Sequence, residues 1–222
     1  MRSLIKKFIH PAFKKVGSLY HSKERIYKYN GIEVIVHPKV FPPHLTLSTK
    51  IILDFIKPLS LKGKTFLELG CGSGIVSLFA KKKGAIVTAI DINQTALEYL
   101  EVASKKNHLK IEILFSDLFN NLENRFFDYI LINPPYYPKA PADIEENAWF
   151  CGENFEYFNS LFNQLKHKIS KYNNVLMILS EDCQIDKIKS IAWENDLKFE
   201  LIHQKRKAYE MNYIFKIVSS LS

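Results

Sequence analysis

The sequence predicts an α/β fold: a mostly parallel sheet with helices on both faces, closed by an antiparallel pair of strands. Three observations carry this. From Lys64 onward, short apolar runs alternate with stretches of helical periodicity, the pattern of strands joined by helical crossovers. Two further apolar runs, near 198–203 and 211–218, follow with no helix between them, which calls for a terminal antiparallel hairpin. Hydrophobic residues make up 47% of the 222, enough for one sizeable core.

The elements follow in order. Residues 31–36 alternate like a short strand. Phe41-Pro42-Pro43 is a rigid connector, and 47–57 reads as a helix stopped by Pro58. A strand over 64–69 enters a glycine loop over 70–74, and 75–83 is a helix. A strand over 85–90, a helix over 94–107 and a strand over 111–115 come next. The strand over 127–132 runs directly into Asn133-Pro134-Pro135-Tyr136. A helix near 155–171, a strand near 174–180 and a helix near 185–195 precede the hairpin. Within 1–30, Leu4, Ile5, Phe8, Ile9, Phe13 and Val16 recur at roughly helical spacing, interrupted by Pro11. That predicts two short helices or a kink, with the apolar stripe packed on the core. The expected organisation is a basic extension over 1–36 and one α/β domain over 37–222.

Composition narrows the class. No apolar run reaches the ~18 residues that span a bilayer. The basic N-terminus is not followed by an apolar stretch with a small-residue cleavage site, so no secretory signal is expected. Cys71, Cys151 and Cys183 are odd in number, widely spaced and without a CxxC pair. They suit a reducing cytoplasm and give no disulfide framework or zinc site. Of the net charge of +8, residues 1–30 carry +7. Such an arm suits RNA, a ribosome or an acidic membrane surface, and equally serves as a solubilising tail.

Four motifs carry chemistry. Glu68-Leu69-Gly70-Cys71-Gly72-Ser73-Gly74 leaves a strand and opens a helix. Its glycines allow a sharp turn and close backbone approach. The spacing is not GxGxxG, and Glu68 would repel a pyrophosphate, so a cofactor with sulfonium and ammonium groups fits better. There is no P-loop. Asp91 ends the second strand of this series, where an acid accepts hydrogen bonds from ribose hydroxyls. It would otherwise cap the helix that follows Ile92, a task for which Asn93 is better placed. Ser116-Asp117 follows the next strand. Asp117 is positioned to accept an adenine amine or to cap the turn at Leu118. Asn133-Pro134-Pro135-Tyr136 lies beyond a strand carboxyl end, where open α/β sheets place ligands. Its prolines lack N–H groups. The Asn133 side-chain oxygen and the Pro134 carbonyl can therefore act as paired acceptors for an –NH2 group, with Tyr136 as a flat neighbour.

Together these motifs resemble the class I S-adenosylmethionine-dependent methyltransferases, over roughly residues 40–218. Asn-Pro-Pro-Tyr resembles the amino-methylating branch, which includes HemK-type protein glutamine methyltransferases and "small" methyltransferases acting on base amines. The resemblance implies a Rossmann-like seven-stranded sheet with an antiparallel last strand, and S-adenosylmethionine as cofactor, leaving as S-adenosylhomocysteine. It implies cofactor binding by Thr49, Glu68, Gly70, Gly72, Gly74, Asp91, Ile92, Asp117, Leu118 and Asn133. It implies an acceptor clamp of Asn133, Pro134 and Tyr136. Val40-Phe41-Pro42-Pro43 resembles the segment that closes over the methionine end of the cofactor. Ala148-Trp149 and Cys151-Gly152 resemble the Trp and glycine pair of shorter HemK-like proteins. Ser48 stands where that family usually has an acid, and Cys151 replaces a glycine. Residues 1–36 are too few for the helical domain with which full-length HemK enzymes bind release factors.

The expected reaction is direct displacement by a nitrogen, with no metal and no nucleophilic residue. Cys183 and His203 are expected to be structural. The acceptor expected first is a protein glutamine amide of release-factor type. A base amine of rRNA, tRNA or DNA is the alternative, favoured by the basic arm and Lys205-Arg206-Lys207. A non-catalytic cofactor-binding module within a complex is the third reading.

Overall fold

The computed structural model describes residues 23–44, 46–122, 124–207 and 210–221. The helices expected around Pro11 lie outside these residues. The first described element is instead a strand, β1 (Arg25–Tyr29), paired antiparallel with β2 (Ile32–Val36). Asn30 and Gly31 make the turn, both at positive φ (49° and 75°). That is the signature of a two-residue hairpin loop matched to strand twist. Ile32, Val34 and Val36 are buried, so the hairpin closes one face of the core.

The remaining elements are α1 (Leu47–Ile56), β3 (Thr65–Leu69), α2 (Ile75–Lys82), β4 (Ile86–Asp91), α3 (Gln94–Lys106), β5 (Glu112–Phe115) and β6 (Tyr129–Ile132). Then come α4 (Glu156–Leu165), β7 (Asn174–Ser180), α5 (Ile185–Trp193), β8 (Leu197–Lys207) and β9 (Glu210–Ser219). Seven strands form one sheet in the order β5-β4-β3-β6-β7-β9-β8. β5, β4, β3, β6 and β7 run parallel. β9 lies antiparallel between β7 and β8. The expected fold class is the one observed.

Most of β3, β6 and β7 is buried, which explains why they read as continuous apolar runs rather than alternating ones. Ile51, Ile52, Leu78 and Leu100, from α1, α2 and α3, fill one face. Phe158, Phe162, Ile188 and Leu122 fill the other. Two boundaries differ from the sequence pattern. The helix expected to reach residue 171 ends at Leu165. There Asn173 reaches back, accepting from Ser170 N (3.0 Å) and donating to Lys168 O (2.8 Å), which replaces helical bonds with a closed loop. β8 extends to Lys207 through a bulge between Leu201 and His203, because polar residues tolerate an edge strand.

The order reverses at β3. The chain lays β4 and β5 on one side of it, then returns to place β6 on the other. The loops after β3 and β6 diverge there and leave a crevice at their carboxyl ends.

Candidate active site

A cavity of about 330 Å³ occupies that crevice. The loop after β3 forms its floor. Gly70 N and Cys71 N both donate to Ile90 O (3.0 and 2.9 Å), which pins the loop across the end of β4. Gly70 and Gly74 both have positive φ (74° and 68°) for different reasons. A Cβ at Gly70 would meet open space, so only the turn requires glycine. A Cβ at Gly74 would stand 2.2 Å from Leu100 Cδ1, so Gly74 lets α3 pack against the start of α2.

Two carboxyls flank the loop. Glu68 is buried, and its Oε2 accepts from Ser77 N (2.8 Å) and from the Ser77 hydroxyl. It thereby supplies an acceptor to the first turn of α2, which has no cap of its own. Burial pushes its carboxyl up to about 8. Asp91 accepts from Gly72 N through Oδ2 (2.8 Å) and from Asn93 N through Oδ1 (2.9 Å), joining the two loops. Burial raises its carboxyl as well. Asn93, not Asp91, caps α3, accepting from Thr95 N at 3.1 Å.

After β5, Ser116 Oγ donates to Leu118 O (2.8 Å) and holds Leu118 at φ 49°. This turns the Leu118 side chain into the core and leaves Asp117 exposed at the cavity. After β6, Asn133 Nδ2 donates to Ser48 Oγ on α1 (3.3 Å). With the amide so oriented, Oδ1 remains as acceptor.

Thr49, Glu68, Gly70, Gly72, Asp91, Ile92, Asp117, Leu118 and Asn133 all line the one cavity. Gly74, Pro134 and Tyr136 do not. Pro134 is buried, and the Tyr136 ring packs 4.8 Å from that of Tyr137. Val40, Phe41, Ala148, Cys151 and Gly152, singled out in the sequence, line the cavity, but sequence reasoning missed the rest of the covering loop after β6. Pro141, Ile144 and Asn147 from that loop line the cavity. Phe41 meets Trp149 at 4.8 Å, Lys39 pairs with Glu145 at 3.1 Å, and Asn93 Nδ2 donates to Lys39 O at 2.8 Å. The first two contacts clasp residues 39–41 to the loop, and the third ties Lys39 to the start of α3. The proline and aromatic residues at 41–43 and 149–150 were the available signal. Ser48 carried none, since its partner is 85 residues away.

Residues 31–149 match the family described as Methyltransferase small domain. The chain belongs to that family. This small-domain methyltransferase is 37% identical over 186 residues to a Methanocaldococcus jannaschii protein named "Putative protein N5-glutamine methyltransferase". The match covers 79% of this chain and 92% of that protein. It is 34% identical over 119 residues to ribosomal RNA small subunit methyltransferase C of Haemophilus influenzae, covering 51% of this chain and 35% of that one. The fold matches the T. thermophilus 16S rRNA N2 G1207 methyltransferase, solved in complex with AdoMet and guanosine. The TM-score is 0.62 at 17% identity, over 87% of this chain and 50% of that one. The small-domain methyltransferase uses S-adenosylmethionine. Among the described residues, no helix is long and apolar enough to cross a membrane.

Proposed function

We propose that this methyltransferase methylates the side-chain amide nitrogen of a glutamine in a protein. The observation that carries the reading is the Asn133 amide. Its NH2 is held by Ser48, so Oδ1 is the group left to receive an acceptor's –NH2 at the end of β6. The M. jannaschii relative, matched over nearly its whole length, supports glutamine as that acceptor.

The cavity suits S-adenosylmethionine by its donor set: bare glycine backbone, two flanking carboxyls and an exposed acid at the far side. We assign the backbone at Gly70 and Gly72 and the hydroxyl of Thr49 to the methionine end. Gly74 supports that loop from behind. Glu68 lines the cavity; a bound sulfonium and ammonium would favour loss of its proton, and its carboxylate would then face them. Asp91 keeps lone pairs for ribose hydroxyls, Asp117 receives the adenine amine, and Ile92 and Leu118 flank the base. Bound there, the cofactor supplies an electrophilic methyl carbon. The chain's part is to hold the nitrogen. Asn133 Oδ1 accepts a hydrogen bond from it and aims its lone pair, while Pro134, buried outside the cavity lining, backs the turn. This bond strengthens as positive charge grows on the nitrogen. Tyr136 offers a planar face to the acceptor. Positioning of this kind contributes about 7–11 kcal/mol in well-aligned reactions. The covering loop excludes water.

The test is transfer of tritiated methyl groups into cell extract. Label should survive ribonuclease, be lost to protease, and appear as N5-methylglutamine after enzymatic digestion. Label lost to ribonuclease instead would replace this reading with the second one, a base amine of RNA. The H. influenzae relative and Lys205-Arg206-Lys207 favour that reading.

A further inference from the structure

At the opposite, amino ends of the strands lies a surface of different character. Two large rings are exposed there and bury little. Phe126, just before β6, is 62% exposed, and Tyr172, just before β7, is 80% exposed. β6 and β7 are hydrogen-bonded neighbours, and Asn174 N donates to Asp128 O at 2.8 Å, so the two approach loops lie side by side. Lys168 Nζ stands 5.8 Å from the centre of the Phe126 ring, reaching from one loop to the other. Lys171 Nζ stands 5.0 Å from the centre of the Tyr172 ring. The next strand over, β3, is led in by exposed Lys62 and by Lys64, whose ammonium pairs with Asp128 at 3.2 Å. Thr65 N and Oγ1 also donate to that carboxylate, so its charge is largely spent within the edge.

Lysines alone would be unremarkable here. Helix carboxyl ends gather at this edge and favour cations. That accounts for neither exposed ring. A large aromatic left in water beside ammonium groups has the form of a stacking platform with an electrostatic guide, the combination that binds single strands without sequence preference. An anionic bilayer would match the charge but offers no planar partner for the rings.

We propose that the amino edge between β6 and β7 docks a single-stranded RNA segment, with Phe126 and Tyr172 stacking on bases and Lys168 and Lys171 neutralising phosphates. β6 has four residues, so the two edges stand about 13 Å or more apart. The docked nucleotides are therefore not the methyl acceptor. The surface anchors RNA whichever acceptor the cavity takes, as it would for a protein substrate presented on a ribonucleoprotein.

The experiment uses the full chain and a fluorescein-labelled oligo(U) of about twelve nucleotides, within the usual site size, titrated by anisotropy over a series of KCl concentrations. The Phe126→Ala/Tyr172→Ala variant should bind about tenfold more weakly, with the salt slope unchanged. In the Lys168→Ala/Lys171→Ala variant the log–log salt slope should become shallower by about 1.4, since each phosphate contact contributes ~0.7. S-Adenosylhomocysteine should bind all three proteins alike, which shows that fold and cavity are intact and separates this test from the fate of the glutamine reading. Oligo(U) binding that is absent, or equal in all three, overturns the proposal. So does binding to phosphatidylglycerol vesicles that both variants lose while oligo(U) binding stays the same.

Discussion

The two edges of the sheet are made by the same strands and have opposite chemistry. At the carboxyl edge the backbone turns through positive φ at Gly70, Gly72 and Gly74, and carboxyls are buried against it at Glu68 and Asp91. At the amino edge the side chains are lysines and exposed rings, and the Asp128 carboxyl is held below its usual range, chiefly by the Thr65 amide. At the first edge carboxyls are buried at a cost; at the second, rings are left exposed to water. Buried, raised carboxyls beside a cavity are a signature of functional sites.

The largest effect that would sharpen this contrast is on turnover. Asn133→Ala should lower methyl transfer by about 10²–10³-fold and change S-adenosylhomocysteine affinity little, with oligo(U) binding untouched. Ser48→Ala should lower it only about fivefold, the worth of one neutral hydrogen bond that fixes the Asn133 amide. A large loss of cofactor affinity in Asn133→Ala would break the assignment. Next comes stability. Gly74→Ala drives a Cβ into Leu100 and strains a positive φ, so unfolding in urea should show a loss of about 3 kcal/mol. Gly63→Ala at the amino edge has the same sign of φ and open space around it, and should cost about 1 kcal/mol. Equal losses would erase the distinction.

The smallest effect is on pH dependence. The Glu68 carboxyl is raised from 4.5 to about 8 in the fold. Folded protein therefore holds a proton that the unfolded chain releases between those values. Its contribution to stability is complete below about pH 4.5 and is lost as pH rises through about 8. Urea midpoints should fall across that window and should fall less in Glu68→Gln; an identical slope in the two proteins would contradict the assigned burial.

Much of the carboxyl edge was legible because its chemistry is local. Glycine spacing, an acid at a strand end and Asn-Pro-Pro-Tyr each occupy a few consecutive residues. The parallel run and its antiparallel closing pair followed from alternation and the final hairpin; the strand order was read only in the structure. What escaped was of two kinds. Asn30-Gly31 is a local hairpin signal that was outweighed by the apolar spacing upstream, so β1 was read as part of a helical stretch. The contact of Ser48 with Asn133, the clasp over the cavity and the meeting of Phe126 with Lys168 join residues far apart in the chain. Only sheet order and helix packing bring these together, so no sequence window contains them.

The clasp bears on how the cavity can open. Its fastenings are an ion pair and a ring contact, neither of them part of a sheet or helix ladder. The covering loop can therefore part from residues 39–41 when these two contacts break, with no ladder bond lost. The Lys39–Glu145 pair is solvent-accessible, so salt screens it and weakens this fastening.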